Sequence, residues 1–329
     1  MLKYHPTIGF RHNSGLPEYN DSGTWLQGGS VDADVVIADE TSMLDVSLGA
    51  ALFDGVDRGR QLILVGDVDQ LPSIGPGRVL FDLIQSGRVP VSRLIKIFRQ
   101  ASESFIPHLA GAINHGTAPS LAEINDAPDV VFLTAEDADC ASETIVAAAS
   151  RSLLRPGKRG RRAFAEDEIM VLSPQKTGPV GTEQLNRRLQ FELNDGEGGL
   201  WIGGGYQVRR GDRVIQTRNN YDIPVFNGEI GTVVEANFRG IRESVLQSHD
   251  VGVDRDVGEG KPWKTSRGGV TDRVLVVRLP DRTIAYSKAE KDELILGYAL
   301  TVHKSQGSQA PAVHLPDRID SFGLLADCS

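Results

Sequence analysis

Val35-Val36-Ile37-Ala38-Asp39-Glu40-Thr41-Ser42-Met43 is a short apolar run that ends abruptly in two carboxylates. A run of this length between polar residues predicts a buried strand, and in an open α/β sheet the ligand crevice lies outside the carboxyl ends of the strands. Asp39 and Glu40 are therefore expected where a ligand sits. A first carboxylate in that place can hold Mg²⁺ through water, and a second can orient and deprotonate an attacking water. The competing reading is that Asp39 or Ser42 caps the helix that follows, because such side chains accept from the free N–H groups at a helix start.

After Met43, the apolar positions Leu44, Leu48, Leu52 and Phe53 fall on a helical period and predict an amphipathic helix over 42–54. Gln61-Leu62-Ile63-Leu64-Val65 predicts a second buried strand. Strand, helix and strand within one short segment make a βαβ unit, so the two strands are expected to be parallel with their carboxyl ends side by side. The second strand runs into Gly66-Asp67-Val68-Asp69-Gln70-Leu71-Pro72-Ser73-Ile74-Gly75-Pro76-Gly77, a loop by its glycine and proline density, which the parallel arrangement brings to the same crevice. An amide such as Gln70 can donate to a phosphate oxygen while accepting from water. A rigid turn with a solvated Asp is the alternative.

Residues 78–86 predict a helix, and Val89 to Gln100 an extended stretch that ends in Arg99. A guanidinium forks onto phosphate oxygens and keeps its charge, so Arg99 is a candidate at a terminal phosphate, with a surface salt bridge as the rival reading. A helix over about 103–115 stops at Asn114-His115-Gly116, a helix-end signal.

The order DETSM (39–43), GDVDQLPSIGPG (66–77) and LIKIFRQ (94–100), then a helix ending AINHG (112–116), resembles the motifs of superfamily 1 helicases. Within that superfamily it is similar to the RecD-type branch, whose members move 5′ to 3′ on single-stranded DNA. By that resemblance Asp39 binds Mg²⁺ through water, Glu40 is the catalytic base, and Gln70 and Arg99 contact the γ-phosphate of ATP. Thr41 stands where the family more often has alanine.

Composition agrees with an ordinary globular chain: 329 residues, 40% hydrophobic and 24% charged, enough for about two domains. No apolar run approaches the roughly 18–20 residues of a membrane span, and no signal-peptide pattern opens the chain, which together favour the cytosol. Cys140 and Cys328 form neither a C-x-x-C metal spacing nor a disulfide framework. The net charge of −9 leaves room for a local basic groove, since phosphate contacts depend on where the cations sit.

Further along, a helix is expected around 138–153, and the basic run Arg155 to Arg162 reads as a linker rather than a nucleic-acid contact, having no aromatic residues interleaved. Ile169 to Pro174 predicts a third buried strand, followed by a loop and a helix bearing Leu185, Leu189 and Leu193. SPQKTGPVGTEQLNRRLQ (173–190) resembles the start of the second RecA-like domain of the same helicases. From Gly203 to about Tyr286 short alternating strands follow, with Asn227-Gly228 as a hairpin signal and 240–272 as an exposed loop. GDRVIQTRNNYDIPVFNGEIGTV (211–233) resembles the SH3-like barrel inserted in that domain.

Leu296 to Gln309 packs Thr, His, Lys, Ser and Gln closely enough to bind phosphate, sugar or base edges. It resembles motif V, which implies that Thr301, His303 and Lys304 face DNA while Gly307 and Gln309 approach the nucleotide; the family commonly has glutamate at the position of Gln309.

The fold expected is α/β, with two RecA-like parallel-sheet domains, the first incomplete, and a small SH3-like β barrel inserted in the second. The expected boundaries are 1–117 for the first domain, 118–163 for a helical connector and basic linker, 164–202 with 291–329 for the second domain, and 203–290 for the barrel. The resemblance implies an ATP- and Mg²⁺-dependent 5′-to-3′ DNA helicase that acts on single-stranded DNA and duplex ends, with a catalytically inactive fragment that only binds single-stranded DNA as the alternative. No G-x-x-x-x-G-K-[ST] phosphate cradle occurs in the 329 residues: Gly258-Glu259-Gly260-Lys261 is followed by Pro262 and is rejected. The arginine motif expected after the last strand is also missing, and the chain reads as a fragment of a longer helicase. The isolated 329-residue polypeptide is therefore expected to bind ATP weakly and unwind nothing; ATP turnover by this chain that vanishes in Glu40→Gln would refute that expectation.

Overall fold

The computed structural model describes residues 33–94, 104–117, 119–127, 129–154, 164–165, 168–196, 199–220, 222–249, 269–306 and 308–316. Arg99, the basic run 155–162 and Gly307 lie outside the described residues. The chain divides into two compact units, Met1–Val131 and Phe132–Ser329.

In the first unit, strand β1 (Val35–Ala38) leads through a 3₁₀ turn (Thr41–Met43) to helix α1 (Val46–Asp54) and then to β2 (Gln61–Leu64). The two strands pair in parallel, Val35 opposite Gln61 and Ala38 opposite Leu64, so both carboxyl ends reach the same edge. Helices α2 (Val79–Gln85), α3 (Ile106–Asn114) and α4 (Leu121–Asn125) follow. Ala38, Leu44 and Leu52 form a small core with Leu48, Leu62, Leu64 and Val79 packed on it. The helix expected from residue 42 begins only at Val46. Glu40 is in the left-handed region (φ 54°), and the Asp45 side chain accepts from Leu48 N at 2.7 Å, so Asp45 is the cap. Neither Asp39 nor Ser42 has that role.

β1 and β2 alternate between a covered and an open face, with Val35, Ile37 and Ile63 exposed. The expectation of strands buried on both faces is thus met on one face only. A parallel sheet is covered by the helices that cross it, and among the described residues helices cover a single face.

The second unit begins with α5 (Ala138–Leu154), which contacts α6 (Thr182–Leu193) and so belongs to this unit's core rather than to a connector. Between them lies β3 (Ile169–Ser173). β4 (Leu200–Ile202) and β5 (Tyr206–Val208) form a hairpin. β6 (Arg213–Gln216), β7 (Ile230–Ala236), α7 (Glu243–Ser248), β8 (Arg273–Arg278), β9 (Thr283–Ser287) and β10 (Leu294–Leu296) follow. The chain then returns through β11 (Ala299–Thr301), the one-turn helix α8 (Val302–Ser305) and β12 (Ala312–His314). β11, β3 and β12 form a parallel sheet with β3 at its centre, whereas β10-β6-β7-β8-β9 is an antiparallel sheet.

Two loop expectations change in detail. β6 and β7 are joined by a long connection rather than a two-residue hairpin. Among the described residues only Gly228 takes a positive φ there (93°), and Glu229 N donates to Phe226 O at 3.1 Å to close the turn. Part of the segment expected as an exposed loop is folded: α7 buries Leu246 completely against Val234, Ile241, Val276 and Ala285. The second face of the antiparallel sheet accounts for this: Val234, Val276 and Ala285 alternate with residues of the main core and so present an apolar surface for α7 to cover.

A buried carboxylate joins the antiparallel sheet to α6. Asp212, wholly buried, accepts from Gln190 Nε2 (2.5 Å), Asn194 Nδ2 (2.6 Å), Arg209 N (2.8 Å) and the Tyr298 hydroxyl (3.0 Å). Removing the acceptor leaves buried donors without a partner, which costs more than the bonds themselves are worth. Asp212→Ala is expected to destabilise the second unit by about 3 kcal/mol or more, read as a fall in the urea midpoint of its unfolding.

Candidate functional site

The two carboxylates follow β1 directly, and the loop 66–77 follows β2, so parallel pairing brings both segments to one edge. The joint is made by Thr41. Its N–H and its hydroxyl both donate to Val65 O, at 3.0 and 2.9 Å, while Val65 N donates to Ala38 O at 2.8 Å. Thr41, read from the sequence as a mild departure, is almost fully buried and extends the strand pairing by a side-chain bond. Gly66 allows this approach: a Cβ there would lie 2.8 Å from Thr41 Oγ1, 2.9 Å from Leu80 Cδ2 and 2.9 Å from Ser42 N. Farther on, Val46 N donates to Pro76 O at 2.9 Å and ties the end of the loop to the start of α1.

Asp39 is exposed, and its Oδ1 accepts from Glu40 N at 2.8 Å. Glu40 is the one non-glycine residue with positive φ among the described residues. Such a conformation costs on the order of 1 kcal/mol and persists where the surroundings over-determine it, as at ligand clamps and active sites. Gln70 sits exposed in the loop, which is stiffened by Asp69 N donating to Asp67 Oδ1 (3.0 Å) and Gln70 N to Asp67 O (3.3 Å). This edge offers carboxylates and an amide of the hard-oxygen type suited to a hydrated Mg²⁺ and a terminal phosphate. The described residues contain no cluster of three or more His, Cys, Asp or Glu that could hold a metal ion.

In the second unit, Thr301 at the end of β11 lies opposite Ser173 at the end of β3. Thr301 caps α8, its Oγ1 accepting from Lys304 N at 3.3 Å. His303 and Lys304 are half-buried, while Gln309 is exposed. Burial, and then the charge of Lys176, lower the Lys304 pKa below the usual lysine value. Lys176 belongs to the loop after β3, which wraps around Ser173: the Ser173 hydroxyl lies 2.6 Å from Val180 O and 3.0 Å from Gln175 O. Both cations thus belong to segments at the carboxyl edge of β3 and β11, where a bound anion would offset their like charge. Two contributors went unrecognised in the sequence. Lys176 was quoted without a role, and Asn186 clamps β11 by donating to Ala299 O and accepting from Ala299 N, both at 2.9 Å.

A family of AAA domains matches residues 14–134, and the SH3 domain of ATP-dependent RecD-like DNA helicases matches residues 185–246. The ATP-dependent RecD2 DNA helicase of Deinococcus radiodurans is 32% identical over 309 residues, covering 94% of this chain and 34% of that protein. The RecD subunit of the RecBCD enzyme of Mycolicibacterium smegmatis is 31% identical over 287 residues, covering 85% of this chain and 44% of the relative. The chain therefore spans less than half the length of these relatives. Among solved structures, Bacteroides Pif1 bound to ssDNA matches 86% of this chain and 64% of that one at 17% identity, with a TM-score of 0.47. The fold is mixed α/β, with RecA-like parallel sheet and an SH3-like β insertion. No described helix is long and apolar enough to cross a membrane.

The left-handed Glu40 yields a stability test independent of activity. Glu40→Gly is expected to be neutral or stabilising by up to about 1 kcal/mol, because glycine relieves the strain at the cost of chain entropy. Glu40→Val, β-branched at positive φ, is expected to be the less stable of the two. Thermal unfolding of both variants decides it.

Proposed function

By sequence the chain belongs to the RecD-type branch of superfamily 1 helicases, and on that premise we propose that it is part of an ATP-dependent DNA motor that moves 5′ to 3′ on single-stranded DNA and opens duplex ends. The observation that carries the reading is the parallel pairing of β1 with β2, locked by Thr41 on Val65 O, which holds the Asp39-Glu40 pair beside the Gln70 loop.

In this reading Asp39 would hold Mg²⁺, through water, and the cation would supply neutralisation of phosphate charge. Glu40 takes the proton from the attacking water, its position fixed by the left-handed backbone. Gln70 hydrogen-bonds the γ-phosphate and reports its presence, and Arg99 stabilises charge that develops there. The donor set fits the cation and the terminal phosphate, and no G-x-x-x-x-G-K-[ST] pattern for cradling the β-phosphate occurs in the sequence. In the second unit Thr301, His303 and Lys304 contact the DNA backbone.

Binding of a fluorescein-labelled oligothymidylate to the 329-residue chain tests the DNA half. Lys304→Ala is expected to weaken binding for every sequence and to flatten the salt dependence by about one unit of log–log slope. Because the folded pKa of Lys304 is lowered, its charge is lost as pH rises sooner than that of an exposed lysine, and the advantage of wild type over Lys304→Ala should fade accordingly. In the whole gene product, unwinding of 5′-tailed but not 3′-tailed duplexes, abolished by Glu40→Gln, is the expected result for the motor. Binding that ignores nucleotide, with no turnover, would instead favour a DNA-binding remnant.

A further inference from the structure

Away from the Thr301 to Lys304 segment, the second unit has a groove of about 290 Å³ between the outer side of α6 and the β4–β5 hairpin. Its walls combine aromatic faces with fixed cations. Phe191 is 74% exposed and Trp201 58% exposed, and both line the same groove. Arg187 lays its guanidinium over the Tyr206 ring at 4.9 Å, and Arg209 donates through NH1 to Asn194 O at 2.8 Å. Asp195 is the single carboxylate among the lining residues. The floor is rigid, since the Gln190 side chain donates both to Gln207 O (2.7 Å) and to the buried Asp212. A preformed groove with exposed aromatic rings and positioned guanidinium groups is what sequence-independent binding of single strands requires: rings for bases to stack on, cations for the backbone.

We infer that this groove is a second contact for single-stranded nucleic acid, with bases stacking on Trp201 and Phe191 and phosphates meeting Arg187 and Arg209. The inference rests on the DNA-binding reading above and adds a site to it. Its excess of cations in a chain of net charge −9 favours a polyanion, and the exposed rings favour a polyanion with bases over an acidic peptide.

The test uses the 329-residue chain and fluorescein-labelled oligothymidylate, read by anisotropy, with Trp201→Ala, Phe191→Ala and the double variant. Each single substitution is expected to weaken binding about tenfold and the double variant further. Trp201→Phe, which keeps a stacking face, should retain most of the affinity and guards against a folding defect. An oligonucleotide carrying 5-bromouracil should cross-link to peptides containing Phe191 or Trp201. If wild type binds and the double variant binds equally well, with cross-links confined to other segments, the groove is overturned while the DNA-binding reading stands. No binding by wild type overturns both. Polyglutamate that binds wild type and loses affinity equally in the Trp201 and Phe191 variants would assign the groove to an acidic peptide and overturn it as a nucleic-acid site.

Discussion

Four donors converging on the wholly buried carboxylate of Asp212 hold the second unit together. A buried charge without partners is too costly to persist, so Gln190 and Asn194 of the α6 end, the Arg209 amide and the Tyr298 hydroxyl are drawn to one point. That point fixes three things together. It seats the antiparallel sheet on α6, sets the floor beneath the β4–β5 hairpin, and anchors Tyr298 just before β11. Asn186 holds β11 itself by a two-way amide bond with Ala299, and the next residues along the chain are Thr301, His303 and Lys304. A pair of cations that would otherwise repel is therefore positioned by neutral amides and one carboxylate remote from it.

The first unit solves a similar problem with fewer parts. Parallel strands cannot be joined by a tight turn, so their carboxyl ends come together only after a crossover helix, and they need something to keep the two exits aligned. Thr41 supplies it by directing both its donors at Val65 O. The arrangement forces the chain into a 3₁₀ turn and leaves Glu40 at positive φ, so the strain lies on the residue proposed as base. Alanine at position 41 would keep the backbone bond and lose the side-chain one, which gives the threonine a structural reason of its own.

Burial has opposite consequences at the two edges. Asp39 is exposed at the end of β1, where water can complete the shell of a cation. Lys304 is half-buried beside Lys176, where desolvation and like charge both weaken its hold on a proton and both would be offset by an anion. In the proposed reading the first edge takes a hydrated metal and the second a phosphate backbone.

Much of this was legible in the sequence, because the signals were local. The apolar runs at 35–38, 61–64 and 169–173, the helical period of Leu185 and Leu189, and the carboxylates at a strand end are set by residue order and spacing, and they determined the α/β class and the position of Asp39, Glu40 and Gln70. What lies far apart in the chain was not legible. The start of α1 depended on a cap and a strained residue; α7 folded onto the face of the antiparallel sheet that carries Val234, Val276 and Ala285; Asp212 gained donors from Gln190 to Tyr298. Lys176 came to face Lys304 only because β3 and β11 are neighbours. Periodicity and turn chemistry act over a few residues and can be read directly. Partners for buried charge, the docking of α7 on the sheet and the meeting of distant cations are long-range contacts, and the tertiary structure alone decided them.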